Sequence, residues 1–496
     1  MRQNRVVIIG AGLGGLQCGY ILCKKGFDVT ILEQDGTIGG CLQTFSRQRT
    51  LFDTGFHYVG ALDEGQALNR LFHYFDLMSL PWSRLDNDCF DEVVIGDQSF
   101  PFANGHDNFC STLSQYFPAE RNNLQRYTAT LKEVGDHIFD KLKPSQDNSF
   151  YETSLFSKSA HQFLNETIQD PLLRKVLSGT SLKMELCADT LPLYTFAQIN
   201  DTYIRSAWRL NGGGSLIADK LAQSIIRMGG TIKTHTAVTT IVEKDRQVAG
   251  VMTAKGIFYE ADWVISNTHP AVTVELVGES AMMRNIYRKR IKSLQNTFGM
   301  FTANIVLKKE TIPYINRNIF VHKADSDLWR IQCDNTESVM VSLPAPNDNL
   351  SYASGIDLLT PMSWQEIEPW VGTPAGRRGE DYVAFKQRKT EQCIALVEKR
   401  LPWLRDAIEH IYTSTPLTYN RYTATAEGCA YGIRKDYNNP MMTVLTPRTP
   451  IPGLLQTGQN LNLHGIMGVS MTSLLTCAEI VGTDSIQDEL KNYIKD

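Results

Sequence analysis

The hydrophobic pattern begins with a run that does not alternate. Residues 5–9, Arg-Val-Val-Ile-Ile, are β-branched after the first position and predict a strand buried on both faces. Glycine follows at once. Residues 14–25 then carry the small and apolar side chains of a helix packed against a sheet, and residues 27–33 form a second β-branched run that ends in an acid. Residues 61–205 read as amphipathic helical stretches joined by short loops. Among them Phe163, Leu164, Ile168, Leu172, Leu173, Val176 and Leu177 fall at the spacing of one buried helical face, broken at Pro171. A helix is predicted over 216–228, with Ser215 as its cap and Gly229 and Gly230 as its end. Strands follow at 231–234, 236–242, 248–253 and 258–265, and the segment 261–267 closes the pattern. Near the C-terminus a strand over 452–457 leads into a helix over about 466–481.

This order predicts an α/β protein whose dinucleotide-domain features return near residue 212 and again toward the C-terminus. The expected division is a discontinuous dinucleotide domain from residues 1–75, 206–283 and 421–496. A second, α+β domain for substrate is expected from 76–205 and 284–420. The chain has 496 residues, enough for such a pair. Its formal charge of −4 lacks the basic excess that nucleic-acid binding needs, so no nucleic-acid partner is expected. Ten cysteines are scattered without C-x-x-C spacing, so neither a metal site nor a dithiol is expected, and a reducing, cytoplasmic setting fits. No stretch approaches the roughly 20 apolar residues of a membrane span. A cluster of Arg284, Arg288, Lys289, Arg290 and Lys292 reads either as a solvated helix face or as a peripheral contact with anionic membrane.

The chemistry concentrates in the first turn. Gly10, Gly12 and Gly15, with Ala11, Leu13 and Gly14 between them, form G-x-G-x-x-G directly after the first strand. The first glycine permits the tight turn, the second lets backbone approach a pyrophosphate, and the third lets helix pack on strand. Glu33, followed by Gln34, stands roughly 20 residues further on, where a carboxylate accepts hydrogen bonds from an adenosine ribose. Gly39, Gly40 and Cys41 come next, then Thr44 and Phe45, and then Phe-Asp-Thr-Gly-Phe-His-Tyr-Val-Gly from Phe52 to Gly60.

This extension resembles the flavoprotein superfamily of amine oxidases, phytoene desaturases and Rab GDP-dissociation inhibitors. Gly-Gly-Cys-x-x-Thr-Phe followed by Phe-Asp-Thr-Gly-x-His-Tyr-x-Gly is similar to the retinol saturase branch, near the carotenoid isomerases. Cys41 replaces the Arg or Lys of most superfamily members, which implies that pyrophosphate charge rests on backbone amides and the helix terminus. A reactive-thiol role for Cys41 stays open beside that of a small residue near the cofactor. The resemblance implies a Rossmann-type FAD-binding domain and places Gly39 and Gly40 along the cofactor. It places Val238 beside adenine, although plain strand core accounts for Val238 equally well. It places Gly458, Gln459, Gly468 and Val469 toward the flavin, and Gly428 to Gly432 matches a tyrosine–glycine segment of that branch. His57, Tyr58, Tyr431 and His464 are the polar residues it brings nearest the flavin, and His57, Tyr431 and His464 are the candidates for proton transfer. The implied activity is reduction or isomerisation of a carbon–carbon double bond in a lipophilic polyene, with NAD(P)H as an external donor. A carotenoid desaturase, and a non-catalytic prenyl-binding module of the Rab GDP-dissociation inhibitor type, remain alternatives.

Overall fold

A computed structural model describes residues 4–142, 154–330, 335–345 and 351–493. The strand Arg5–Ile9 lies at the middle of a five-stranded sheet, ordered Thr231–Lys233, Asp28–Leu32, Arg5–Ile9, Trp263–Ser266, Leu454–Gln456, with every pairing parallel. The non-alternating Val6 to Ile9 run is explained by its place: both faces are covered and all four side chains are buried. The helices Leu13–Lys24, Ser215–Arg227 and Gly465–Val481 pack together beside this sheet. Their apolar faces meet in one core around Ile8, Leu16, Ile31, Leu221 and Leu474.

A second, seven-stranded sheet is ordered Ile408–Ser414, Gly299–Leu307, Gly355–Met362, Ser338–Ser342, Asn318–His322, Asp91–Ile95, Gln98–Phe102. Its pairings are antiparallel except between Asn318–His322 and Asp91–Ile95. Every position of Gly299–Leu307 is buried. One face carries Phe301, Ile305, Val341 and Leu358 against the helix Glu380–Val397. The other carries Val93, Phe320, Met340 and Leu359 toward the helical segment before residue 205. A three-stranded antiparallel sheet, Val238–Lys244, Gln247–Thr253 and Phe258–Glu260, stands beside the five-stranded one.

Four expectations change. Residues 61–205 are not all helix and loop, because Trp82–Arg84, Asp91–Ile95 and Gln98–Phe102 are strands. The last two form a hairpin across Gly96 and Asp97, and Gly96 takes the left-handed φ of +60° that such a tight turn needs. Pro171 does not interrupt one helix; it opens a new one, Pro171–Leu177, with Asp170 Oδ1 accepting from the Leu172 and Leu173 amides at 2.8 and 3.1 Å. Ser215 is the first residue of its helix rather than its cap, and its hydroxyl meets Thr44 Oγ1 at 3.0 Å. The run 258–265 splits between two sheets at Ala261 and Asp262. There the Asp262 amide donates to the Arg5 carbonyl at 2.9 Å, while its carboxylate accepts the Arg5 amide at 2.9 Å. Among the described residues no helix is long and apolar enough to cross a membrane, and no group of His, Cys, Asp and Glu could hold a metal ion.

Candidate active site

The carboxyl ends of three adjacent parallel strands carry the first half of the site. After Ile9 the chain turns through Gly10, whose φ of +93° suits glycine. Gly15 then packs so tightly that an added Cβ would lie 2.1 Å from the Gly10 carbonyl oxygen. Gly12 caps the helix Leu13–Lys24 without a side chain, leaving its amino-terminal dipole open to an anion. Asn267, after Trp263–Ser266, donates its amide to the Ile9 carbonyl at 2.9 Å. Gly458, after Leu454–Gln456, comes so near that a Cβ on it would meet Asn267 Oδ1 at 2.8 Å. A second glycine loop lies over the first: the Gly39 amide donates to the Ala11 carbonyl at 2.8 Å, and Gly39 has a φ of +106°.

Glu33 ties this loop down. Its Oε2 accepts the Ala11 amide at 2.8 Å and its Oε1 accepts the Asp35 amide at 3.0 Å. Burial raises its carboxyl above the ordinary range, and the amide bonds oppose that rise.

A cavity of about 400 Å³ begins at Glu33 and Gln34 and runs under the glycine loops. Gly10, Gly12, Leu13 and Gly14 line one side of it. Gly39, Gly40 and Cys41 line the facing side, and Val238 closes the Glu33 end. Gly458, Gln459 and Val469 continue the wall toward His57, Tyr431 and His464. Three expected residues stand behind the wall instead. Ala11 is fully buried and spends its amide on Glu33. Gly15 packs on the Gly10 carbonyl, and Gly468 packs on Leu463, whose carbonyl oxygen would lie 2.3 Å from an added Cβ.

Beyond the histidines the wall turns apolar, with Leu182, Met300, Met340 and Leu359, and Tyr422 stands half-exposed at the rim. The polar groups at this end are held individually. His464 caps the helix Gly465–Val481, and its Nε2–H donates to the Lys183 carbonyl at 3.0 Å, which leaves Nδ1 as the acceptor. Burial pushes its pKa down to about 4. The Tyr431 ring lies 4.5 Å from the His464 ring, and its hydroxyl donates to the Leu182 carbonyl. His57 is also pushed down to about 4, first by burial and then by the Arg209 charge, and its Nε2 has no partner. Both imidazoles are therefore neutral near pH 7.

Cys41 opens onto the cavity, and the protein packed around it pushes its thiol up to about 11. That is the reverse of a reactive thiolate. Alkylation of Cys41 by iodoacetamide, followed by peptide mass spectrometry, is expected to be slow at pH 7 and to rise only as the pH approaches the thiol pKa. Rapid labelling at neutral pH would contradict this.

Comparison with known proteins agrees with this geometry. A family model described as an NAD(P)-binding Rossmann-like domain matches residues 8–75. The all-trans-retinol 13,14-reductase of Rattus norvegicus is 27% identical over 527 residues, covering 97% of this chain and 86% of the relative. A chloroplastic prolycopene isomerase of an Oncidium hybrid cultivar is 22% identical over 505 residues, covering 96% of this chain and 84% of the relative. The chain is thus similar along nearly its whole length to all-trans-retinol 13,14-reductases and prolycopene isomerases. Its fold is shared with putrescine oxidase: that enzyme bound to putrescine superposes with a TM-score of 0.65 at 14% identity, covering 97% of this chain and 99% of that one.

Sequence reasoning missed Lys183, Tyr203 and Asn267, all on the cavity wall. Asn267 was legible as the end of a strand bordering the glycine turn. Lys183 and Tyr203 stand in the helical region before residue 205, where no local pattern marks them.

Proposed function

We propose that this chain is an FAD-dependent oxidoreductase acting on a carbon–carbon double bond of a lipophilic polyene, a retinoid or a carotenoid. The observation that carries the reading is the continuity of one cavity, from the Glu33 carboxylate through glycine-lined walls to an apolar lobe at Met300, Met340 and Leu359. The retinol reductase and prolycopene isomerase relatives, similar over nearly the whole chain, support the same substrate class.

The residues fit FAD. Side chains at Gly12, Gly14 or Gly458 would fill the narrow space beside Asn267, and the open helix terminus at Gly12 offers an anion site with no basic residue in the doublet loop. Gly10, Gly12, Gly39 and Gly40 would lie along the pyrophosphate, Glu33 and Val238 at the adenosine, and Gly458, Gln459 and Val469 toward the ring. When bound, the flavin supplies hydride chemistry. The protein holds the polyene in a dry, apolar lobe and excludes water from the reacting carbons. Reducing equivalents for saturation come from an external donor such as NAD(P)H. Isomerisation without net reduction is the second reading, favoured by the prolycopene isomerase relatives. Anaerobic mixing of the reduced holoprotein with a panel of retinoids and carotenoids tests the proposal. It predicts reoxidation by at least one polyene with a two-hydrogen gain in its mass. Isomerised polyene with no reoxidation would support the second reading, and no change in any polyene would refute both.

A polyene is nearly insoluble, so we place the cavity mouth against an anionic lipid surface. The helix Asn285–Lys292 packs on Pro270–Val277, whose Val272 and Leu276 line the cavity. Ile286, 79% exposed, sits among the cations of that helix and adds an apolar contact. Arg288 is not one of the free cations: its Nε donates to the Met283 carbonyl and its Nη1 to the Val274 carbonyl, both at 3.0 Å. Lys292 pairs with Glu275 and Arg290 lies over the Tyr287 ring, so Lys289→Gln with Arg290→Gln is the variant that leaves the backbone ties of Arg288 and the Lys292 pair in place. It is expected to weaken binding to phosphatidylserine-containing vesicles about tenfold or more, at about 1 kcal/mol per cation, and added salt should weaken the parent likewise. Cosedimentation reads both. Equal binding of parent and variant, or none to anionic vesicles at low salt, would end the docking proposal.

A further inference from the structure

Lys183 is the only lysine or arginine lining the cavity among the described residues, and its side chain is 5% exposed. It stands in the tight turn Ser181–Lys183, which two residues of the cavity wall hold in place. Tyr431 donates to the Leu182 carbonyl and His464 to the Lys183 carbonyl. The backbone of this turn is thus tied to the start of the helix Gly465–Val481, next to Val469. The side chain extends toward Asp91, with Nζ 3.4 Å from Asp91 Oδ2 and 4.4 Å from the centre of the Tyr203 ring. Tyr203 in turn lies 4.4 Å from the Tyr58 ring.

Asp91 is fully occupied. Tyr58 donates to its Oδ2 at 2.8 Å and Asn318 Nδ2 to its Oδ1 at 3.0 Å. Lys183 has three N–H groups; one goes to Asp91, Nζ also sits over the Tyr203 ring, and the residue lines the cavity. A buried ammonium needs a partner to stay charged, and Asp91 supplies it. Burial lowers the Lys183 pKa and raises that of Asp91, and each partner opposes the other's shift.

We propose that Lys183 is the proton donor of this site, with Asp91 and Tyr58 as positioning residues. The proposal rests on polyene reduction as the reaction. One carbon of the double bond takes a hydride, delivered through the reduced cofactor from the external two-electron donor. The π pair forms a new C–H bond on the other carbon with a proton from Lys183 Nζ, whose N–H bonding pair stays behind as a lone pair. The neutral amine recovers a proton from water after the product leaves, so each turnover consumes one hydride and one solvent proton. The histidines and tyrosines singled out from the sequence are poorer donors. His57 and His464 are neutral near pH 7, and the Tyr58 and Tyr431 hydroxyls are committed to Asp91 and the Leu182 carbonyl, with pKa values raised by burial.

The test uses the FAD-loaded protein and Lys183→Met, which keeps the length of the side chain. The variant is expected to hold FAD and to be reduced by dithionite as the parent is. Its reoxidation by the polyene that serves the parent should fall about 100-fold or more and recover in part with added methylammonium. The parent rate should decline as pH rises through the Lys183 pKa, and the variant should lose that decline. A second measurement needs no turnover. In protein grown on ¹³Cε-lysine, with the Lys183 resonance assigned by its loss in Lys183→Met, that resonance should titrate below the surface lysines, and lower still in Asp91→Asn. Reoxidation of Lys183→Met at the parent rate, with the parent's pH profile, would overturn the proposal and leave polyene reduction standing. So would a Lys183 resonance titrating with the surface lysines. A parent that no polyene reoxidises would instead overturn polyene reduction, and the proton donor with it.

Discussion

Glu33→Arg is expected to lose at least nine-tenths of its bound FAD. The Glu33 carboxylate does two things at once. It accepts the Ala11 and Asp35 amides at 2.8 and 3.0 Å, which fixes the turn before the helix Leu13–Lys24, and it presents negative charge at the end of the cavity where the adenosine ribose is proposed to lie. Arginine has no acceptor, so both amides lose their partner, at about 1–3 kcal/mol for each that stays buried. It also brings a cation where a hydroxyl needs an acceptor. Glu33→Gln keeps one acceptor oxygen and no charge, and should fall between parent and Glu33→Arg. Flavin absorbance per chain after purification, and FAD titration of the stripped proteins, measure the series. Equal occupancy and affinity in all three would remove Glu33 from the site.

Two glycines three positions apart are expected to fail in different ways. At Gly15 a Cβ would lie 2.1 Å from the Gly10 carbonyl oxygen and 3.3 Å from Asn267 Nδ2. Backbone cannot yield there without separating the first helix from the first strand. Gly15→Val should cost about 3 kcal/mol or more by overpacking, lowering the thermal midpoint by roughly 3 °C or more, or should yield no folded protein. At Gly12 the backbone φ is −72°, which any residue adopts, and the nearest atom to an added Cβ is Asn267 Nδ2 at 3.0 Å. Gly12→Val should therefore fold near the parent midpoint but take up little or no FAD, because its methyl groups fill the space proposed for the pyrophosphate. Thermal unfolding and flavin content, read on both variants, separate the two effects. A flavinated Gly12→Val, or a Gly15→Val as stable as the parent, would show that the glycine loop works otherwise.

How much the sequence disclosed depends on how local the physics is. Strand, glycine turn, helix and acid lie within the first 33 residues, and each is set by its own neighbours, so that module is legible as it stands. The same holds for the strand Leu454–Gln456 and the glycine that follows it. The seven-stranded sheet is different. Asp91–Ile95 is buried on both faces, so it shows no alternation, and it pairs with Asn318–His322 more than 200 residues away. Only the Gly96-Asp97 pair between two apolar runs signalled its hairpin. Lys183 is the sharpest case. Its surroundings read as helix and loop, its partner Asp91 is 92 positions distant, and its place on the cavity wall exists only once Tyr431 and His464 hold its turn. Cys41 shows the converse: its motif was legible, while its raised pKa depends on packing that no motif encodes.

The central claim is that the cavity between Glu33 and His57 holds FAD. Denaturing the purified protein and quantifying the released nucleotide tests this directly. The account predicts visible flavin absorbance in the native protein and about one FAD per chain on release, with FAD restored on titration of any stripped fraction. A colourless protein that takes up no FAD would contradict it, and would turn the same cavity into a binding site for a prenyl or other lipid chain.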